Sequence, residues 1–127
     1  MLTNFNMYDV EDRVLNYFNE YLRKIGRQEV TKNIARKKFS TIVNYAARRR
    51  HDETTNVTRY RYGRFMLMVD ENTKNIFYID IVEDEERVQR FKRETPKYIH
   101  IAIKKAYKEL GLTKTGYAYK KSEYSLF

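Results

Sequence analysis

The segment Arg59-Tyr60-Arg61-Tyr62-Gly63-Arg64-Phe65 has the residue types and spacing of an anion-binding strand. Successive side chains of a strand point to opposite faces, which puts Arg59 and Arg61 on one face and Tyr60 and Tyr62 on the other. Guanidinium forks grip phosphate oxygens in pairs. Tyrosine rings stack on unpaired bases, worth about 1–3 kcal/mol per base. The same alternation also serves plain cross-strand packing of Tyr against Arg stems, and the pattern leaves both readings open. Further cations stand at Arg48-Arg49-Arg50, at Lys32, Arg36 and Lys37 ahead of them, and at Lys104 and Lys108 near the end of the chain.

These cations are gathered rather than spread. The formal net charge is +9 over 127 residues, yet residues 1–26 carry −1, 27–50 carry +7, 51–94 carry −2 and 95–127 carry +5. Two basic blocks flanking an acidic middle concentrate polyanions and speed their encounter. With nucleic acid, each neutralised phosphate releases counterions, so binding is salt-sensitive. The expected partner is RNA, DNA or a ribonucleoprotein. Lysines and arginines that merely solubilise two helices, or that meet an acidic protein, are the other readings of the same blocks.

Other chemistries have little material. There is no Cys, which removes disulfides, thiolate metal sites and thiol catalysis. His51 and His100 are the two histidines, and the sequence supplies neither with an orienting partner, so a nucleophilic triad is not expected. No P-loop, GxGxxG or HExxH motif occurs. Asp80, Glu83 and Asp84 are close enough in sequence to converge beyond a strand end, with Asp70 across a turn. Acids at the start of a helix, favoured there by its dipole, explain Glu83-Asp84-Glu85-Glu86 without a metal. No metal or cofactor is therefore expected, and catalysis is not favoured. Met1–Asp12 lacks the basic start and apolar run of a signal peptide. The apolar run Phe65–Val69 is far short of the roughly 20 residues of a membrane span. A single cytoplasmic domain spanning residues 1–127, with no membrane partner, is the expectation.

The elements that must position these residues follow from periodicity. Val10, Val14, Tyr17, Phe18, Tyr21, Leu22 and Ile25 recur at helical spacing and predict a helix from Asp9 to Ile25, capped by Asn6 or Asp9 and stopped by Gly26. A second helix is predicted from Thr31, its N-cap, to Arg50, with Ile34, Ala35, Phe39, Ile42, Val43 and Ala46 inward. Its outer surface is then cationic, and Arg48–Arg50 complement its C-terminal dipole. Val57–Asp70 reads as extended and split at Gly63, with Phe65–Val69 apolar on both faces and hence a central, covered strand. Asp70–Asn75 is turn chemistry. Asn75–Val82 follows as a strand, with Phe77, Ile79 and Ile81 on one face and Ile76, Tyr78 and Asp80 on the other. Glu83–Glu94 predicts a short helix. Thr95-Pro96 restarts the chain as N-cap and first helical residue of a last helix that runs to Leu110 and stops at Gly111. Thr113–Phe127 is an edge strand or a mobile tail. The fold class is α+β: two N-terminal helices packed on a small antiparallel sheet built on the central hairpin, followed by C-terminal helices.

Arg59-x-Arg61-x-Gly63-x-Phe65-x-Leu67-x-Val69-Asp70, followed by Lys74-x-Ile76-Phe77-Tyr78-Ile79-x-Ile81, resembles the central hairpin of RelE/ParE-type toxins. Two helices ahead of the hairpin fit that layout. The resemblance implies a strand ahead of the helices, for which Met1–Tyr8 is a weak candidate. It also implies metal-independent cleavage of RNA, with Arg59 and Arg61 in the places of paired strand lysines that polarise the phosphate, and Tyr117 or Tyr119 as a late tyrosine. Two further readings stand beside it. A break at Phe39-Ser40 would make Thr41–Arg50 the recognition helix of a winged-helix DNA-binding regulator, with Asn44 and the Arg triplet on base edges. The wealth of Tyr and Arg also suits a non-enzymatic inhibitor of another protein, or a contact between two copies of the chain. The main expectation is a small basic protein that contacts RNA or DNA phosphates through Lys32, Arg36, Lys37, Arg48, Arg49, Arg50, Arg59, Arg61, Arg64, Lys104 and Lys108.

Overall fold

The expected hairpin is the centre of a larger sheet. In the computed structural model, which describes residues 5–46 and 48–112, the order is β1 (Asp9–Val10), α1 (Asp12–Lys24), α2 (Lys32–Tyr45), β2 (Arg48–Asp52), β3 (Val57–Tyr62), β4 (Phe65–Asp70), β5 (Asn75–Ile81), α3 (Glu85–Glu94) and α4 (Lys97–Glu109). The class is α+β. The strands form one five-stranded sheet in the order β1-β5-β4-β3-β2. It is mixed rather than antiparallel, because β1 runs parallel to β5. Strands β2–β5 lie between the two helix pairs in the chain, and α4 turns back to pack on α2. The expected arrangement of two helices on a small antiparallel sheet, with later helices merely following, is replaced by this one. The segment 113–127 lies outside the described residues. Among the described residues no helix is long and apolar enough to cross a membrane.

Helix α1 begins later than its apolar period suggests. Asp9 and Val10 are spent on β1, where the Asp9 and Glu11 amides donate to the carbonyls of Lys74 and Ile76 at 2.9 and 3.1 Å. Glu11 then stands at the N-cap without a side-chain cap, and neither Asn6 nor Asp9 serves. At the other end Gly26 adopts φ +77°, the left-handed conformation that ends helices, and the Arg27 amide reaches the Leu22 carbonyl at 2.7 Å. Thr31 caps α2 as expected, accepting from the Ile34 amide at 3.3 Å. The helix stops at Tyr45, not Arg50, and runs unbroken through Phe39-Ser40. No helix–turn–helix division exists there, and Arg48–Arg50 belong to a strand. Thr95 caps the end of α3 instead of the start of α4, its hydroxyl donating to the Phe91 carbonyl at 2.6 Å, while Pro96 occupies the N-cap of α4.

One face of the sheet meets the helices. Thr58, Tyr60 and Tyr62 of β3, Phe65, Leu67 and Val69 of β4, and Ile76, Ile79 and Ile81 of β5 are buried there. Phe65 meets Phe18 of α1 and Phe39 of α2 edge-on, with ring centroids 5.8 and 6.1 Å apart. Such pairs add about 0.5–1.5 kcal/mol each beyond the area they bury. A register shift corrects the expected faces of β5. Val69 pairs with Ile76 and Met68 with Tyr78, which makes Phe77 the extra residue of a bulge. The bulge reverses the alternation, so Ile76 joins Ile79 and Ile81 toward the helices. Strand β4 is central in the sheet, as expected, but it is not covered on both faces: Met66 and Met68 on the outer face stay half-buried.

Candidate functional site

The β2–β3 ladder pairs Arg48 with Arg61, Arg49 with Tyr60 and Arg50 with Arg59. Directly opposed side chains of an antiparallel pair share a face, their Cβ atoms about 4.5–5.5 Å apart. Continuing through the ladder, Arg59 pairs with Met68 and Met68 with Tyr78. The outer face therefore carries one continuous row across four strands, Arg50, Arg59, Met68 and Tyr78. Tyr78 is 47% exposed. A second row contains Arg61, Met66 and Asp80. A third, of Asp52, Val57, Asp70 and Asn75, borders the face with carboxylates. Arg50, Arg59, Met68 and Val57 line an open groove of about 560 Å³, together with Asp52 and Glu53.

The turn Gly63-Arg64 joins β3 to β4, since Tyr62 pairs with Phe65. Gly63 has φ +59°, which a two-residue hairpin loop with glycine first requires. This turn sends Arg64 inward. Its guanidinium donates from Nη1 to the Tyr21 hydroxyl at 2.8 Å and the Val82 carbonyl at 3.2 Å, and from Nη2 to both carboxylate oxygens of Glu85 at 2.8 and 3.1 Å. Arg64 is 1% exposed, so it ties α1 and α3 to the hairpin and does not belong to the outer face. Arg61 stays on that face, its guanidinium 4.8 Å from the Phe91 ring centroid of α3.

The helix cations do not join the strand arginines. Lys32 pairs with Asp12 at 2.9 Å. Arg36 donates to the Tyr8 carbonyl at 3.3 Å and lies 3.8 Å from Asp9. Lys37 donates to the Leu110 carbonyl at 3.4 Å, closing the end of α4. Lys104 and Lys108 are exposed on α4, in the helix layer. Of the residues singled out by type and spacing, Arg50, Arg59 and Arg61 are brought together. Among the described residues no carboxylate forms an ion pair with Arg50 or Arg59.

A polar network at the helix face escaped the sequence reading. Glu71 Oε2 accepts from the hydroxyls of Thr58 and Tyr60 at 2.8 and 2.9 Å. Thr58 has one hydroxyl proton and gives it to Glu71, so the 2.7 Å contact between Thr58 Oγ1 and His51 Nδ1 needs the histidine nitrogen as donor. His51 thus has the orienting partner that the sequence did not reveal. The available signal was Thr58, on the tyrosine face, opposite a turn acid. His100 is held likewise, between the Tyr62 hydroxyl at 2.8 Å and the Lys92 carbonyl at 3.2 Å. Lys38 was also missed: it is 3% exposed, with Nζ 4.9 Å from the Tyr107 ring centroid.

Burial, followed by the hydrogen bond to Glu71 and its charge, holds the Tyr60 phenol well above the ordinary value of 10.0. Burial alone does so for Tyr62. A folded-state pKa raised in this way contributes stability that is complete below the unfolded value and is lost as pH rises toward the folded one. We expect stability to be flat with respect to these groups below about pH 10 and to fall above it. Difference titrations against Tyr60→Phe and Tyr62→Phe isolate these two phenols: their tyrosinate absorbance should appear together with unfolding, and its appearance in the folded chain near pH 10 would contradict the expectation.

Among the described residues no three His, Cys, Asp or Glu gather to hold a metal ion. No protein-family model, curated protein or solved structure matches this chain.

Proposed function

We propose that the protein binds nucleic-acid phosphates on the outer face of its sheet, through Arg50, Arg59 and Arg61. The observation that carries this reading is the directly opposed pair Arg50–Arg59 with no ion-paired carboxylate among the described residues. Like charges placed opposite one another on neighbouring strands destabilise a sheet. A phosphate between them turns that repulsion into two charge-assisted contacts. The cation–π contact with Phe91 holds the Arg61 guanidinium beside the pair. The bordering Asp52 and Asp70 repel a phosphate chain and so direct it toward the Gly63 end of the face.

The test is a titration of the whole chain with RNA and DNA oligomers across a salt series. Two to three phosphates neutralised on a single strand give a log–log slope of about −1.4 to −2. Binding with no salt dependence, or no binding at low salt, overturns the reading. Strand β1 lies ahead of the two helices, which supports the toxin-like alternative as well. RNA recovered shortened from the same titration in chelator is what that alternative requires.

A further inference from the structure

We infer that the occupant of the outer face is a single strand, with one of its bases stacked on Tyr78. This rests on the phosphate reading above and deepens it. The outer face of an antiparallel sheet that helices leave open is ordinarily polar. Here the row that starts with Arg50 and Arg59 ends with Met68 and Tyr78, two large apolar side chains side by side on β4 and β5. Tyr78 is 47% exposed and sits on the outer face, beside Met68 and opposite in direction to its buried neighbour Ile79. It makes no hydrogen bond or ring contact among the described residues.

Charge and apolar surface thus divide one row between its two ends. Two strand spacings separate Arg59 from Tyr78, about 10 Å. A nucleotide presents the same division, an anionic phosphate at one end and a flat base at the other. In a duplex the bases are stacked inward, and a flat face meets only backbone; in a single strand they splay out and reach an aromatic ring. An acidic protein would satisfy the arginines but gives Tyr78 no flat partner of its own. Stacking tolerates any base, so no strong sequence preference follows.

The chain has no Trp, so Tyr78→Trp places a sole indole at the proposed contact, a fluorophore that can be excited beyond the tyrosine band. The probes are a single-stranded oligouridine, the matching DNA strand, a duplex RNA and inorganic polyphosphate. Both single strands are expected to quench the fluorophore, while polyphosphate binds without quenching and the duplex quenches little. Tyr78→Leu keeps apolar area but loses the π face, and should weaken single-strand affinity about tenfold while leaving polyphosphate affinity unchanged. Tyr78→Phe should restore it. Salt-dependent binding of single strands with no quenching and no loss in Tyr78→Leu overturns the stacking inference and leaves the phosphate reading standing. Failure of every probe to bind overturns both.

Discussion

Replacing Arg50 and Arg59 together by alanine is expected to weaken single-strand binding about 30-fold at low salt, roughly 2 kcal/mol. The same change should flatten the log–log salt slope by about 0.7 if the pair holds one phosphate and about 1.4 if it holds two, because each phosphate neutralised on a single strand contributes about 0.7. The two side chains stand opposite each other in the ladder, so they address neighbouring or shared phosphate oxygens and their losses should not add independently. Folding stability should hold or rise slightly, since a like-charge pair is being removed. The informative control is Lys104→Ala with Lys108→Ala. That pair removes the same formal charge from α4, in the helix layer, and should cost no more than about twofold if the outer face is the binding surface. Equal losses in the two variants, measured by anisotropy over the salt series, would mean that bulk charge alone attracts the polyanion.

Arg64→Met should produce the largest loss of stability of any single change considered, about 3 kcal/mol, or near 10 °C in thermal midpoint for a chain of this size. Methionine follows the aliphatic stem but donates nothing to the buried Tyr21 hydroxyl or the Val82 carbonyl, which accept at 2.8 and 3.2 Å. Unsatisfied buried groups cost about 1–3 kcal/mol each. Glu85 contributes less to the loss, because its side chain is 63% exposed and returns to water. Removing a buried charge also recovers its desolvation cost, and a loss below about 1 kcal/mol in urea unfolding would mean that this recovery dominates. Affinity of the folded variant should stay within about twofold of the parent, since Arg64 does not reach the outer face.

The two variants separate what neighbouring residues in one motif look like from what they do. Arg59, Arg61 and Arg64 lie within six positions and read as one cationic strand. The alternation correctly sorted the first two from Tyr60 and Tyr62, because a strand's period of two is a property of the backbone itself. It could not sort Arg64, which lies in the turn. There the direction of the side chain depends on Tyr21 and Glu85, far away in sequence on different helices. Arg48–Arg50 show the same limit. Arginine suits a helix end as well as an exposed strand, and the choice was made by the ladder with β3.

By itself the sequence determined the break at Gly63, the strand pair around the Asp70–Asn75 turn, the Thr31 cap, the stops at Gly26 and Gly111 and the sorting of Arg from Tyr on β3. Each depends on groups a few residues apart, whose geometry the local backbone dictates. Only the tertiary structure decided that Asp9–Val10 pair with β5, that a bulge at Phe77 turns Ile76 inward, and that Lys32 and Arg36 face the chain's own acids while Arg50 and Arg59 face none among the described residues. Those outcomes depend on which distant backbone or charge arrives alongside. Packing of the helices on the Phe65 face sets that arrival, and no local period encodes it.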